Sequence, residues 1–166
     1  ACLSTTGVAK VLVVTDDAAF AARFAALGCT SVPDGDSSGL NPTLRQAAQE
    51  ARRRWPDLVP AALLADLPAL RAVDLEQALA SLVPGRASFV ADADGTGSTL
   101  YTAPYDEFDP SFGPDSAHAH LVAGAHAVLG GLTSLRRDVD DLDDLRAAQA
   151  IGLGPETDKL VTGLLP

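Results

Sequence analysis

The sequence predicts an α/β protein with a mostly parallel mixed sheet and helices on both faces. Short apolar runs rich in β-branched residues alternate with helical patterns of ten to fifteen residues, which is how successive βαβ units read. At 166 residues and 47% hydrophobic, the chain can bury a core of the size one such domain needs. No internal repeat or low-complexity segment divides it, so residues 1–166 read as a single domain.

The elements follow in order. KVLVVT (10–15) is a buried strand. Asp16 and Asp17 cap a helix running through Gly28, with Ala18, Ala22, Phe24, Ala25 and Leu27 as its stripe. CTSVP (29–33) is a second strand, and DGDSSGL (34–40) a polar, glycine-rich loop. Asn41 is the expected N-cap of a helix reaching about Trp55, with Pro42 at its first position. Arg52, Arg53 and Arg54 fall in its last turn, where cations suit the helix dipole. Residues 58–65 form the next strand, and Asp74 caps a helix over 75–82. ASFVAD (87–92) is a strand, DADGTGS a turn, and TLYTAP (99–104) another strand. Pro114 opens a helix that is expected to continue through Val128. TSLRRDV (133–139) reads as a strand, DLDDLRAAQAIG (141–152) as a helix, and GPETDKLVTGLL (154–165) as a final short helix.

The formal charge is −10, with only two lysines, Lys10 and Lys159. Nucleic acids and anionic membrane surfaces call for a basic footprint, so both are excluded as partners. An acidic chain can still hold a small polyanion if a divalent cation supplies the positive charge. No apolar run approaches the ~20 residues of a membrane span, and no secretory leader is visible. Cys2 and Cys29 fit a reduced, cytoplasmic thiol pair. The opening ACLSTTGVAK has no initiator methionine and reads as the end of one element and the loop to the next, which leads us to expect a further N-terminal piece.

The chemistry gathers at strand ends. LLADLPAL (63–70) runs an apolar strand into Asp66, and Pro68 then denies the strand a further ladder donor. Ligands of open α/β sheets lie outside the carboxyl ends of the strands, so Asp66 is placed to hold a metal ion or to cap the following turn. TSLRRDVDDLDDL (133–145) repeats the pattern with Asp138, Asp140 and Asp141, while Asp143 and Asp144 read as capping residues of the helix that begins near Asp141. Carboxylates with only oxygen chemistry around them suit Mg²⁺. GTGS (95–98) and FGPDS (112–116) offer backbone amides to an anion, the latter because Gly113 and Pro114 lead into a helix that sets Ser116 and nearby amides at its positive end. Asp115 beside it weakens that offer, because it can satisfy the helix dipole itself. GLNPTL (39–44) is a glycine loop entering a helix, suited to a nucleotide or simply to a turn.

In the order GLNPTL, LLADLPAL, ADADGTGSTL, FGPDSAHAH, RRDVDDLDDL, these pieces resemble the guanylyltransferases of deazaflavin coenzyme F-420 biosynthesis. Those enzymes use phosphoenolpyruvate or 2-phospho-L-lactate. The resemblance covers nearly the whole chain and implies a Rossmann-like nucleotidyltransferase. Its expected reaction joins GTP to the phosphorylated three-carbon acid and releases pyrophosphate. It implies acid contacts at Thr96, Gly113 and Ser116, and catalytic metal carboxylates at Asp66 and Asp138, with Asp140 a near alternative. It implies nucleotide contacts at Gly39 and Asn41, Mg²⁺ as cofactor, and transfer of the product to the next enzyme of the pathway. A basic signature of the type A-K-x-R-L, which opens the family pattern and grips the triphosphate, has no counterpart here.

Two other readings compete. FVADADGTGSTL resembles the nucleophile motif of haloacid-dehalogenase-type phosphatases, with Asp92 and Asp94 as nucleophile and acid, although no lysine lies between Lys10 and Lys159 to complete it. A non-catalytic nucleotide-binding module is the second. His118, His120 and His126 lack a spacing that would set them on one helix face, so they read as surface or partly buried residues rather than metal ligands.

Overall fold

The computed structural model describes residues 1–35 and 39–162; the middle of the DGDSSGL loop (36–38) and the end of the last expected helix (163–166) lie outside them. Strand β1 (Leu12–Val14) leads to helix α1 (Ala18–Ala26), strand β2 (Thr30–Val32) and helix α2 (Leu40–Arg54). Strand β3 (Ala61–Leu63), helix α3 (Ala72–Ala80) and strands β4 (Ser88–Ala91) and β5 (Ser98–Thr102) follow. Helix α4 (Ser116–Val122), strand β6 (His126–Ala127) and helices α5 (Thr133–Arg136), α6 (Leu142–Ile151) and α7 (Pro155–Val161) complete the order.

The architecture is α/β, and its strands fall in two sheets. β1 and β2 pair in parallel. The other four lie in the order β3-β5-β4-β6. β5 is antiparallel to both β3 and β4, while β6 is parallel to β4. Three strands of this sheet therefore run one way and only β5 is reversed. The carboxyl ends of β3 and β4 and the start of β5 share one rim, which is where the site is built.

Both faces of this sheet are buried, as expected of a sheet covered by helices on two sides. Phe89 pairs with Tyr101 and Val90 with Leu100, and the two-residue period sends these pairs to opposite faces. Phe89 and Tyr101 join Ala48 of α2 and Ala117 of α4 in one cluster. Val90 and Leu100 join Leu75 and Ala78 of α3, Leu135 of α5 and Leu132 just before it in the other.

Three local expectations change. Residues 133–139 hold a short helix, α5, rather than a strand. Leu132 and Leu135, three apart and both fully buried, dock with helical rather than alternating spacing. Asp74, expected as an N-cap, instead accepts from the amide and hydroxyl of Ser134 (2.8 and 2.7 Å) and so anchors α5 to α3. Helix α4 stops at Val122, not Val128. Gly124 takes a positive φ of 87°, and the chain turns to lay His126 and Ala127 along β4. At α2 the N-cap is Gly39 rather than Asn41.

Asp17 caps its helix as read, whereas at α6 the cap is Asp141 rather than Asp143 or Asp144. Asp17 accepts from the amides of Ala19 and Phe20, and Asp141 from those of Asp143 and Asp144. The stripe proposed for α1 is not packed: Leu27 is 65% exposed, and no residue of that helix is buried. Arg52 pairs with Asp106, and Arg53 and Arg54 pair with Glu50, so the arginine run ends its helix in ion pairs. Cys2 and Cys29 are free thiols. No described helix is long and apolar enough to cross a membrane.

Candidate active site

Asp66 stands just beyond β3. The ladder continues one residue past the strand, where the Leu64 amide donates to Thr99 O at 3.0 Å. The turn is then fixed by buried Leu67 and Ala69 and by the Gly154 amide, which donates to Pro68 O at 2.9 Å. Asp66 itself reaches solvent at the rim. The protein mass beneath it thins its hydration and raises its pKa; its own backbone amide opposes this, and the Asp140 carboxylate adds to it.

Asp92 occupies the corresponding end of β4. Its Oδ1 accepts from the Thr96 amide (3.0 Å) and its Oδ2 from the Gly97 amide (2.7 Å), folding the GTG turn around the carboxylate. Gly97 is required by this approach, since a Cβ there would lie 2.3 Å from Asp92 Oδ2. Gly97→Ala is expected to destabilise the protein by at least about 1 kcal/mol, read as a lower denaturation midpoint at unchanged m-value.

Asp138 lies between α5 and α6, not on a strand. Arg136 places it by donating from its two terminal nitrogens to Ala91 O and Val128 O, both at 2.8 Å, which ties the end of α5 to the end of β4. Partial burial pushes the Asp138 carboxyl up to about 6, against its own backbone amide; the carboxylates of Asp92, Asp66 and Asp140 push it further the same way. Asp66, Asp92, Asp138 and Asp140 thus form one electrostatically coupled group. Among the described residues none of the four is in an ion pair.

This donor set fits a hard divalent cation. Only oxygens are offered, and they repel one another. Among the described residues no three acidic, histidine or cysteine side chains close on one point. At most two of these carboxylates would therefore serve one ion, with water and substrate phosphate completing the shell of a cation such as Mg²⁺.

Beside the acids, the two glycine turns lock together. The Ala117 amide donates to Thr96 O (3.0 Å), and the Ser116 amide to Gly113 O (3.1 Å). Thr96 and Gly113 form an exposed lip, while Ser116 lies beneath it, 1% exposed, with Oγ donating to Ser98 Oγ at 3.2 Å. The amides of Thr96, Gly97, Ser116 and Ala117 are all bonded inside the protein. The expectation that amides of the GTG turn and of the first turn of α4 stand free for an anion is therefore corrected at these four positions. Asp115 caps nothing with its side chain and sits in the left-handed region at φ 56°.

Gly39 is exposed at the entry to α2. The Asn41 side chain bonds at both ends to Phe112: Nδ2 donates to Phe112 O and Oδ1 accepts from the Phe112 amide, each at 2.8 Å. It joins the GLN loop to the FGP loop. His118 and His126 are exposed and His120 is fully buried, so the three histidines are not gathered.

Asp92 ends a strand in the sequence reading, as Asp66 does, but belongs there only to the phosphatase reading and not to the acidic group. The signal was its place at the end of a strand parallel to the one before Asp66, which becomes visible only with the strand order. The same carboxylate was the nucleophile of the phosphatase reading. With both oxygens restrained by the turn, it acts here as a structural acceptor.

No family model matches the chain. A phosphoenolpyruvate guanylyltransferase of Thermomonospora curvata is 50% identical over 159 residues, covering 95% of this chain and 70% of the relative. The enzyme so named from Geodermatophilus obscurus is 47% identical over 163 residues, covering 98% and 74%. That of Streptomyces coelicolor is 44% identical over 167 residues, covering 99% and 79%. With half of its residues shared across more than two thirds of such a relative, and with the ordered turns and acids packed around one rim, this chain belongs to the phosphoenolpyruvate guanylyltransferase family.

Proposed function

We propose that the protein transfers the guanylyl group of GTP to phosphoenolpyruvate. A phosphate oxygen of phosphoenolpyruvate forms the new bond to the α-phosphorus. The bond from that phosphorus to the bridging oxygen breaks, and pyrophosphate leaves with the electron pair. The product is enolpyruvyl-diphospho-guanosine. The attacking oxygen is already anionic, so no side chain has to generate the nucleophile, and the protein's part is positioning and charge control.

The observation that supports this reading is the mutual electrostatic influence of Asp66, Asp138 and Asp140 at the rim that also carries the GTG turn, on a chain 43–50% identical to enzymes of that name. Asp66 and Asp138, with Asp140 close by, would hold Mg²⁺, which when bound neutralises the phosphates and the charge that grows on the leaving group. Gly39 and the loop that Asn41 anchors would face the guanine nucleotide, and Thr96, Gly113 and the Ser116 region the three-carbon acid. We place the reaction in the cytoplasm, in the biosynthesis of the deazaflavin coenzyme F-420, with the product handed to the next enzyme.

Incubating the full-length protein with GTP, Mg²⁺ and one acid at a time, and following pyrophosphate, tests the reading. Phosphoenolpyruvate is expected to support release. Release with 2-phospho-L-lactate alone would reassign the acid, and release with neither would refute the proposal. Ser116→Ala is expected to raise KM for the acid more than for GTP. A change confined to the GTP constant would show the subsites reversed.

A further inference from the structure

Resting on that reading, we propose that His120 is a positioning residue for the acid subsite, a neutral imidazole of fixed tautomer that clamps the Ser111–Ser116 loop against the GTG turn. No atom of the side chain reaches solvent, and none is available to touch substrate. Its Nε2 accepts from the Ser111 amide at 2.9 Å. That nitrogen must therefore carry the lone pair, and the ring proton lies on Nδ1, which faces Ser98 Oγ at 3.0 Å. Ser98 Oγ also receives the Ser116 hydroxyl.

One ring thus joins three pieces of chain: the first residue of β5, one position after the GTG turn; the start of the FGP loop; and the first turn of α4. Phe112, held by Asn41, closes the loop from the other side. The ring stacks on Tyr101 (centroids 4.6 Å) and contacts Phe89 and Phe112. Burial lowers the imidazole pKa from its ordinary 6.5 to about 4, so Nε2 remains an acceptor at neutral pH. A protonated ring would present N–H to the Ser111 N–H and release the loop.

Since His120 touches the acid-side loops and not the carboxylate group, its loss should act on one substrate. His120→Phe keeps an aromatic ring and removes both hydrogen bonds. In the full-length protein it is expected to raise KM for phosphoenolpyruvate roughly tenfold or more, because loosening a positioned loop by a fraction of an ångström is felt at the ligand, while KM for GTP stays within about twofold. His120→Gln, which offers one amide donor and one carbonyl acceptor, is expected to recover part of the loss. Equal rises in both constants, or Gln performing no better than Phe, would overturn the proposal in favour of simple packing. Exchange of the Ser111 amide gives a readout independent of activity: it should quicken about tenfold or more in His120→Phe, and unchanged protection would overturn the proposal. If His120→Phe fails to fold, His120→Gln carries the same two readouts. If the wild type turns over no acid with GTP, the functional reading fails, and the Ser111 amide still decides the role of the ring.

Discussion

Asp66→Asn is expected to lower kcat/KM for pyrophosphate release at least ~100-fold, about 2.7 kcal/mol of barrier. Asp66 lies at the solvent rim and carries no packing of its own, so the loss would not come from misfolding. The substitution removes one of the negative charges that repel Asp138. The metal-free variant should accordingly be no less stable than the wild type, and the Asp138 carboxyl should fall slightly, burial being the main cause of its elevation. Lost turnover with retained or increased stability is the signature of a carboxylate kept for a ligand rather than for the fold. Near-normal turnover by Asp66→Asn would remove it from the reaction.

The second large effect is on acid stability, where two groups oppose each other. His120 has a folded pKa of about 4 against 6.5 when unfolded. The unfolded chain takes up this proton first, so the stabilising contribution is complete above pH 6.5 and is lost as pH falls toward 4, by about 3 kcal/mol in all. Asp138 works the other way. Its folded pKa of about 6 lies above the ordinary 3.8, so the folded protein takes up that proton first and gains stability as pH falls from 6 toward 3.8. In the wild type the two offset each other over much of this window. In Asp138→Asn the compensation is gone, and chemical denaturation should show a steeper loss of stability between pH 6.5 and 4 than in the wild type. In His120→Phe the downward branch should disappear. Parallel pH profiles for Asp138→Asn and the wild type would contradict this assignment.

The α/β class was legible because short β-branched runs alternate with helix-length patterns, and that periodicity follows from which faces are buried. The cap at Asp17 was legible because capping is local. Segments whose state is set by distant partners were not. TSLR reads as a strand by composition but is helical because Asp74 grips Ser134 and Leu132 and Leu135 dock together. Asn41 looks like an N-cap by position, but its amide pairs with a backbone 71 residues away. In the site, the acids at Asp66 and Asp138 could be named from the sequence. Their meeting with Asp92 could not, because it depends on β5 running antiparallel between β3 and β4. His120 was set aside with its neighbours, since nothing in a histidine's own sequence context announces that a serine hydroxyl and a backbone amide will meet its two nitrogens.

We propose that Asp66 and Asp138 share one divalent cation between the nucleotide and the phosphorylated acid. Titrating Mn²⁺ into the full-length protein with GTP present, and reading bound metal by electron paramagnetic resonance, tests it most directly. The expected result is one tight class of Mn²⁺ in the wild type, weakened at least about tenfold by either Asp66→Asn or Asp138→Asn. Unaltered Mn²⁺ affinity in both variants would contradict the account.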